Sequence, residues 1–287
     1  MRRRVIDGYL FIAPFMLGVL IFAFIPIIAC IVIGFTQWNF IDFDNISFIG
    51  LQNFKDLLTD SIFLEALKAT VKYTLFTVPS LAVLSLLVAI LVNNRLPLSS
   101  FFKTMYFTPG IISGPAVAIA FAFILNSDYG ILYEFLGLTV KVNLLGDEHM
   151  TIPALAMVCV WQQVSFNFLL YLAALQEIPD QLKEASIIDG AGAVRRFFSI
   201  TLPMISPTIF TVVITGTMFQ MQQFVYSAVI TMGRFGSKTL AYYIYEAGFR
   251  AGNFGYGSAV AVVFMLLVFL LVLIQWFLQK KWVFYNE

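Results

Sequence analysis

Charged residues and histidine are scarce in this sequence. Lys, Arg, Asp and Glu together make up 11% of its 287 residues, and His149 is the single histidine. A lone histidine in a polar loop is a poor metal ligand, because it has no neighbouring ligand to share the ion with. The formal net charge of +1 also argues against a general affinity for nucleic acid.

Cysteine and catalytic motifs are equally sparse. Cys30 and Cys159 both lie inside apolar runs, which excludes a disulfide framework or a CxxC metal knuckle. The segment Gly236–Thr239 resembles the end of a phosphate-binding loop, but Ser237 stands where that loop needs a glycine directly before the lysine. Because no HExxH motif, nucleophile elbow or paired-carboxylate arrangement is present either, we expect the chain not to be an enzyme.

What the sequence does contain is long apolar runs. Hydrophobic residues make up 60% and aromatic residues 16%, a composition typical of a polytopic membrane protein. The runs predict an all-α fold in a single transmembrane domain over 1–287, with six membrane-spanning helices. The predicted spans cover approximately 9–35, 66–92, 105–125, 152–175, 204–231 and 258–278, with a polar loop at 176–202 between the fourth and fifth.

Two of these spans carry helix-breaking residues. The first is longer than a bilayer of ~30 Å requires, so it should tilt or bend, and Pro26 is the favoured place. The third contains Pro109-Gly110 and then Ser113-Gly114-Pro115. Such breaks at membrane depth are tolerated only where neighbouring helices or a cavity satisfy the freed backbone groups.

The distribution of Lys and Arg predicts the orientation. Under a six-span topology with both termini inside, most basic residues fall in the inner segments, as the positive-inside rule requires. These inner residues are Arg2, Arg3, Arg4, Arg95, Lys103, Lys183, Arg195, Arg196, Lys280 and Lys281. The sequence therefore predicts that both termini and the loop 176–202 are cytoplasmic.

That loop contains a short predicted helix, roughly 179–189. Pro179 suits the first helical position, and Asp180 favours the positive end of the helix. Gly190 and Gly192 can adopt the left-handed turn that ends it.

The predicted helix carries a narrow apolar stripe formed by Leu182, Ala185 and Ile188 at three-residue spacing. A surface helix this small transmits motion only if a partner holds it, which makes a docking surface one interpretation. A basic amphipathic helix resting on lipid headgroups is the other.

Amides cluster near the middle of spans 4 and 5, where exposure to lipid would be costly. Gln163 and Asn167 lie one turn apart in span 4, and Gln220, Gln223 and Tyr226 lie at similar depth in span 5. Each amide by itself is most simply an interhelical hydrogen bond. As a set beside aromatic residues, they suit a neutral, polyhydroxylated ligand such as a sugar.

Mid-depth charges are missing from the predicted spans. Proton-coupled carriers commonly use Asp, Glu, His or Arg there, so their absence argues against an ion-driven symporter, whereas sodium coupling through backbone carbonyls stays open. An anionic substrate would require a fixed positive charge, so the same absence argues against a substrate of that kind.

The polar loop resembles the EAA motif of ABC importer permeases. Glu184-Ala185-Ser186 is followed at the motif's spacing by Gly190, then by Ile200 and Leu202-Pro203. Ser186 replaces the motif's second alanine with another small residue. Flanking segments, including Tyr106–Pro109, Leu175–Pro179 and Gly255–Ala259, look like carbohydrate permeases of the maltose and glycerol-phosphate uptake type.

This resemblance implies a type I importer fold whose loop 176–202 carries a coupling helix that sits in a cleft of a cytoplasmic ATPase. The implied ATPase-coupling residues are Glu184, Ala185, Ser186, Asp189, Gly190, Ala191 and Gly192. The implied substrate-pathway residues are Gln163, Asn167, Gln220, Gln223 and Tyr226, although in a heterodimer one subunit alone can hold the solute.

The implied partners are a second homologous permease subunit, a dimer of cytoplasmic ABC ATPases and an extracellular solute-binding protein. ATP and Mg would be bound by the partner ATPase, and no cofactor by this chain. The expected function is half of a translocation pathway for a sugar or oligosaccharide in a bacterial cytoplasmic membrane. The alternative is an ATP-independent secondary carrier of a neutral polar solute.

Overall fold

The computed structural model describes residues 2–39, 45–93, 99–135 and 143–284. Arg95, used above in the charge argument, lies outside these ranges. The α-helices are α1 (Arg2–Val19), α2 (Ile25–Gly34), α3 (Gln52–Thr59), α4 (Ser61–Asn93), α5 (Ser99–Ile111), α6 (Gly114–Ile124), α7 (Ile131–Phe135), α8 (Thr151–Glu177), α9 (Asp180–Ile188), α10 (Ala193–Arg196), α11 (Leu202–Met204), α12 (Ser206–Met221), α13 (Leu240–Tyr245) and α14 (Phe254–Gln279).

Shorter elements connect these helices. π-Helical segments cover Leu20–Phe24, Phe197–Thr201, Ser227–Thr231 and Glu246–Arg250. Strands β1 (Thr36–Gln37) and β2 (Ser47–Phe48) pair antiparallel, with Thr36 opposite Phe48. The π-helical segment at Leu20–Phe24 lies directly before Pro26, the predicted irregularity in the first span, where proline removes a backbone donor from the helix.

Residue contacts divide the chain into two compact units, each described here by itself. The first comprises Met1–Phe63 with Tyr243–Leu267, and the second comprises Leu64–Tyr242 with Val268–Glu287. All of the predicted coupling and pathway residues belong to the second unit. The single transmembrane domain remains a prediction.

Six apolar helical segments correspond to the six predicted spans. Four helices are long and apolar enough to cross a membrane unaided, and two bent helix pairs bring the number up to six. The four are Leu10–Gly34, Ser61–Asn93, Thr151–Glu177 and Phe254–Gln279; the bent pairs are Phe101–Ile111 with Gly114–Ile124 and Ala193–Met204 with Ser206–Met221. The chain is thus a mostly helical, multi-pass membrane protein.

The third predicted span, 105–125, is not one continuous helix. The axes of α5 and α6 meet at 95°, and Ser113 between them is extended (φ −64°, ψ 142°). Pro115 cannot donate a backbone hydrogen bond, so the helical ladder cannot run through it, although proline fits the first turn of α6. The side chain of Gln162 donates to the carbonyl oxygen of Ile112 at 2.7 Å and so satisfies a backbone group at the break.

The fifth predicted span, 204–231, is also interrupted. Helix α12 ends at Met221, and the backbone resumes helical geometry only beyond Phe224, before the π-helical segment that Met232 closes at φ 54°. The hydroxyl of Thr239 donates to the carbonyl of Gln223 at 2.7 Å, and the hydroxyl of Ser227 donates to the carbonyl of Ser237 at 2.6 Å. The Thr239 hydroxyl therefore takes the place of a helical N–H at the break, and the Ser227 hydroxyl joins the resumed helix to the following turn.

The second unit packs around α8. One apolar cluster surrounds Val158 and Cys159, and another surrounds Phe168 and Tyr171. Helices α5 and α8 approach so closely that a Cβ atom on Gly110 would lie 2.8 Å from Cβ of Ser165. A small residue at position 110 is thus required for this helix crossing.

A carboxylate organises part of the first unit. Asp60, just before α4, accepts hydrogen bonds from the hydroxyls of Tyr243 and Tyr256 and from the backbone N–H of Ile62 at 2.8 Å. Burial raises the pKa of Asp60, but these hydrogen bonds outweigh it, so the pKa lies below its ordinary value. Burial and the hydrogen bond to Asp60 raise the pKa of Tyr243 to about 12.

Replacing Asp60 with Asn should lower the free energy of unfolding at neutral pH by about 1–2 kcal/mol, because the charge-assisted hydrogen bonds from the two tyrosines are lost. Thermal unfolding of the purified chain in detergent measures the difference. Asp56→Asn is the matched control, since Asp56 is exposed and accepts from Gln52 within α3.

The effect of Asp60→Asn should depend on pH. Because the folded-state pKa of Asp60 is lowered, its contribution is fully present above the unfolded-state value and is lost as pH falls through the folded-state pKa. The difference between wild type and variant should stay constant above about pH 5 and shrink in stronger acid. A difference that grows on acidification would contradict this assignment.

Candidate transport and coupling sites

The predicted amides of α8 and α12 meet in the second unit. The side chain of Gln220, which is 1% exposed, donates to Oε1 of Gln163 at 2.7 Å. The thiol of Cys159 lies 3.1 Å from Oε1 of Gln220 and donates to it. These contacts place Gln163 and Gln220 side by side between the two helices.

Two further predicted residues hold helices to one another. The buried hydroxyl of Tyr226 donates to Oε1 of Gln162, whose amide nitrogen binds the break between α5 and α6. Gln223 donates to the hydroxyl of Tyr73 in α4 at 3.4 Å. Gln162 therefore has a larger structural role than its sequence context suggested, and its position beside a broken neighbouring helix was the available signal.

A cavity of about 490 Å³ opens between α8 and α12. It is lined by Gln163, Phe166, Asn167, Leu170, Thr211, Thr215, Gly216 and Phe219. Of the five predicted pathway residues, Gln163 and Asn167 line this cavity, whereas Gln220, Gln223 and Tyr226 do not. The spacing of Gly216, Gln220, Gln223 and Ser227 by four, three and four residues favours one face of a continuous helix. Because α12 ends at Met221, these residues do not form a single face.

The cavity combines hydrogen-bonding groups with aromatic rings. Thr211 and Thr215, which sequence reasoning missed, donate their hydroxyls to the carbonyls one turn earlier in α12, leaving the hydroxyl oxygens able to accept. Their four-residue spacing, continued to Phe219, was the signal that could have found them. Phe166 and Phe219 are 64% and 71% exposed, so their faces are available to a ligand.

No ionisable side chain is among the described residues that line this cavity. Neutral amides and hydroxyls beside aromatic faces provide the contacts that a polyhydroxylated ligand uses. The same lining offers no fixed positive charge for a phosphate or carboxylate.

Helix α9, the predicted coupling helix, begins at Asp180, with Pro179 as its N-cap in an extended conformation (ψ 133°) rather than as its first helical residue. At the other end, Ala191 N–H donates to the carbonyl of Ser186 and Gly190 N–H donates to that of Ile187, both at 3.0 Å. This pair of bonds is a Schellman motif, and Gly190 adopts the left-handed conformation it requires (φ 75°).

The predicted apolar stripe of α9 faces outward. Leu182 is 42% and Ile188 85% exposed, and Ala185 is exposed as well. The buried position is Ser186, whose hydroxyl donates to the carbonyl of Lys183 at 2.6 Å.

The remaining predicted coupling residues also lie on the surface. Glu184, Asp189, Gly190 and Gly192 are exposed, and Ala191 is half-buried. A Cβ atom added to Gly190 or Gly192 would meet no other atom within 4 Å. The structure therefore brings the EAA-like residues together as an open surface, with Ser186 beneath it.

Comparison with known proteins agrees with this architecture. Residues 62–283 match the family described as "Binding-protein-dependent transport system inner membrane component". The Bacillus subtilis protein named "Probable ABC transporter permease protein YesP" is 34% identical, covering 100% of this chain and 94% of the relative. The Streptococcus mutans "Multiple sugar-binding transport system permease protein MsmF" is 29% identical, covering 97% and 98%.

A solved structure shows the same fold. A chain of a bacterial alginate ABC transporter, in complex with an alginate pentasaccharide-bound periplasmic protein, has a TM-score of 0.84 with 21% identity over 97% of this chain and 96% of that chain. The family match covers well over half of the sequence and includes both candidate sites. The chain therefore belongs to the family of inner membrane components of binding-protein-dependent transport systems, the permeases of ABC importers.

Proposed function

We propose that this chain forms half of the translocation pathway for a neutral sugar or oligosaccharide and couples it to ATP hydrolysis by a separate ATPase. The observation that carries the proposal is the cavity between α8 and α12, which holds Gln163, Asn167, Thr211 and Thr215 between two exposed phenylalanine rings. A second, homologous permease subunit would complete the pathway. The match to a binding-protein-dependent family supports this proposal over the alternative of an ATP-independent carrier.

The chemistry of the residues that line the cavity between α8 and α12 supports a neutral substrate. Each amide or hydroxyl replaces a hydrogen bond that a sugar hydroxyl would lose on leaving water, and the aromatic faces cover its C–H surface. The sugar named for the S. mutans relative and the alginate named for the solved transporter support the carbohydrate class. The uncharged lining favours a neutral rather than an acidic saccharide in this chain.

The surface of α9 supports ATP coupling. Its exposed Leu182 and Ile188 would enter a cleft of the cytoplasmic ATPase dimer, and the Schellman turn at Gly190 would hold the following segment at a fixed angle. ATP and Mg would be bound by the ATPases, whose closure would move the coupling helices. An extracellular solute-binding protein would deliver the sugar on the opposite side.

The proposed coupling to an ATPase also determines the orientation of the chain in the membrane. An ATPase on the cytoplasmic side requires the loop 176–202 to be cytoplasmic, which places both termini inside, as the distribution of Lys and Arg predicts. A bacterial cytoplasmic membrane is the proposed location.

The decisive experiment is ATP hydrolysis by the chain reconstituted in liposomes with its co-expressed permease, ATPase and binding-protein partners. Stimulation by one neutral saccharide that depends on the binding protein would support the proposal. Solute flux through this chain alone, indifferent to ATP, would overturn it, and stimulation by acidic saccharides only would overturn the substrate class.

Gly190→Val should abolish uptake while the protein remains in the membrane. A β-branched residue at φ 75° costs ~1–2 kcal/mol or more in backbone strain and would unwind the end of α9. Val194→Ala is the control, because Val194 is 72% exposed, lies in the same loop and is not among the predicted coupling residues, so uptake should be retained. Radiolabelled uptake normalised to membrane protein level measures both variants.

Asn167→Leu should raise the KM for saccharide uptake roughly 3- to 10-fold, the effect of one lost neutral hydrogen bond to the solute. Its recorded side-chain hydrogen bond runs to the carbonyl of Gln163 in the same helix at 3.3 Å, so folding should be little affected. Thr215→Val, which removes only the hydroxyl, should act in the same direction.

Gln222→Leu is the control for the Asn167 measurement. Gln222 is exposed, does not line the cavity and donates to the carbonyl of Met218 within its own turn at 3.0 Å. The KM of the Gln222→Leu variant should equal that of the wild type. Equal KM values for all of these variants would place the solute elsewhere.

A further inference from the structure

A second cavity, of about 430 Å³, lies beneath the coupling helix within the second unit. Its wall includes Asn93 at the end of α4, Leu175 and Ile178 at the end of α8, and Lys183 and Arg196 from the coupling segment. The cavity is therefore located beside the ends of two candidate membrane-spanning helices.

The charge of this cavity is positive. No Asp or Glu is among the described residues that line it. Lys183 pairs with Asp180 at 3.0 Å, but both side chains are largely open to solvent (44% and 79% exposed), so the pair screens the cavity weakly. Arg196 is half-buried, and its guanidinium makes no ion pair or hydrogen bond with the described residues.

The rest of the wall is mostly apolar. Ile90 from α4, Ile187 from α9 and Phe197 and Ile200 from the following π-helical segment face the same space. A cation pair above an apolar wall matches an amphipathic anion better than a free inorganic one, because inorganic phosphate would leave the apolar wall in contact with water.

This cavity is distinct from the proposed ATPase-docking surface. Among the predicted coupling residues, Ser186 lines it, whereas Glu184, Ala185, Asp189 and Gly190 do not. The outward stripe of Leu182 and Ile188 does not line it either. Both surfaces can therefore be occupied at the same time.

We propose that this cavity binds the headgroup of an anionic phospholipid. The lipid phosphate lies against Arg196 and Lys183, which donate charge-assisted hydrogen bonds, and the first carbons of the acyl chains cover Ile178, Ile187 and Phe197. The bound lipid fills the space between α9 and the ends of α4 and α8. It thereby supports the coupling helix from the membrane side.

The test is binding of a fluorescent phosphatidylglycerol to the full-length chain in neutral detergent, with fluorescent phosphatidylcholine as the uncharged probe. Arg196→Gln should weaken phosphatidylglycerol binding about fivefold and leave phosphatidylcholine binding unchanged. Arg195→Gln is the matched control, since it removes the same charge from the adjacent, exposed residue, which does not line the cavity. It should bind phosphatidylglycerol like wild type.

Two further measurements distinguish a bound lipid from other possible occupants of the cavity. Ala193→Met fills the cavity from a lining position without changing charge and should weaken phosphatidylglycerol binding. Inorganic phosphate should not compete with the fluorescent lipid, and competition would assign the site to a free anion instead. If Arg195→Gln and Arg196→Gln weaken phosphatidylglycerol binding equally, the binding depends on general surface charge and the proposal is overturned. Because lipid binding requires neither ATP nor sugar, its failure is distinguishable from failure of the proposed transport function.

Discussion

The satisfaction of backbone polar groups within the membrane is the constraint on which the second unit depends. Helix α5 stops at Ile111 and α12 stops at Met221, so carbonyl and N–H groups lose their helical partners at both places. Side chains replace those partners: Gln162 binds the carbonyl of Ile112, and Thr239 binds that of Gln223. Without such bonds, each broken helix would expose unpaired backbone groups at a cost of several kcal/mol.

The two candidate sites differ in how their geometry is fixed. The cavity between α8 and α12 is built from side chains on long helices and is held by the buried pair Gln163–Gln220. The coupling helix α9 is short and exposed, and its geometry depends on a backbone motif at Gly190. The candidate solute cavity therefore has a defined shape, and the candidate docking surface is open to a partner.

Composition and motif spacing were sufficient to predict the six apolar segments and the EAA-like loop, because both are properties of consecutive residues. The interruption after Met221 was not predictable, since it depends on Ser237 and Thr239, which come from a distant turn. Helical periodicity therefore placed Gln223 on a face it does not share with Gln220. The exposed stripe of Leu182 and Ile188 agrees with both interpretations of the sequence, a docking surface or a lipid contact, because an apolar stripe does not show which partner covers it.

Tyr226, Gln162 and the carbonyl of Ile112 form a chain of hydrogen bonds that joins three membrane segments at the points where two of them are broken. Breaks in helices are usually where a transporter bends. Here hydrogen bonds join the two bends through Gln162. A change of angle at one bend would therefore strain the hydrogen bonds to the other. These two hydrogen bonds favour concerted movement of the segments around Ile112, Gln162 and Tyr226 during transport.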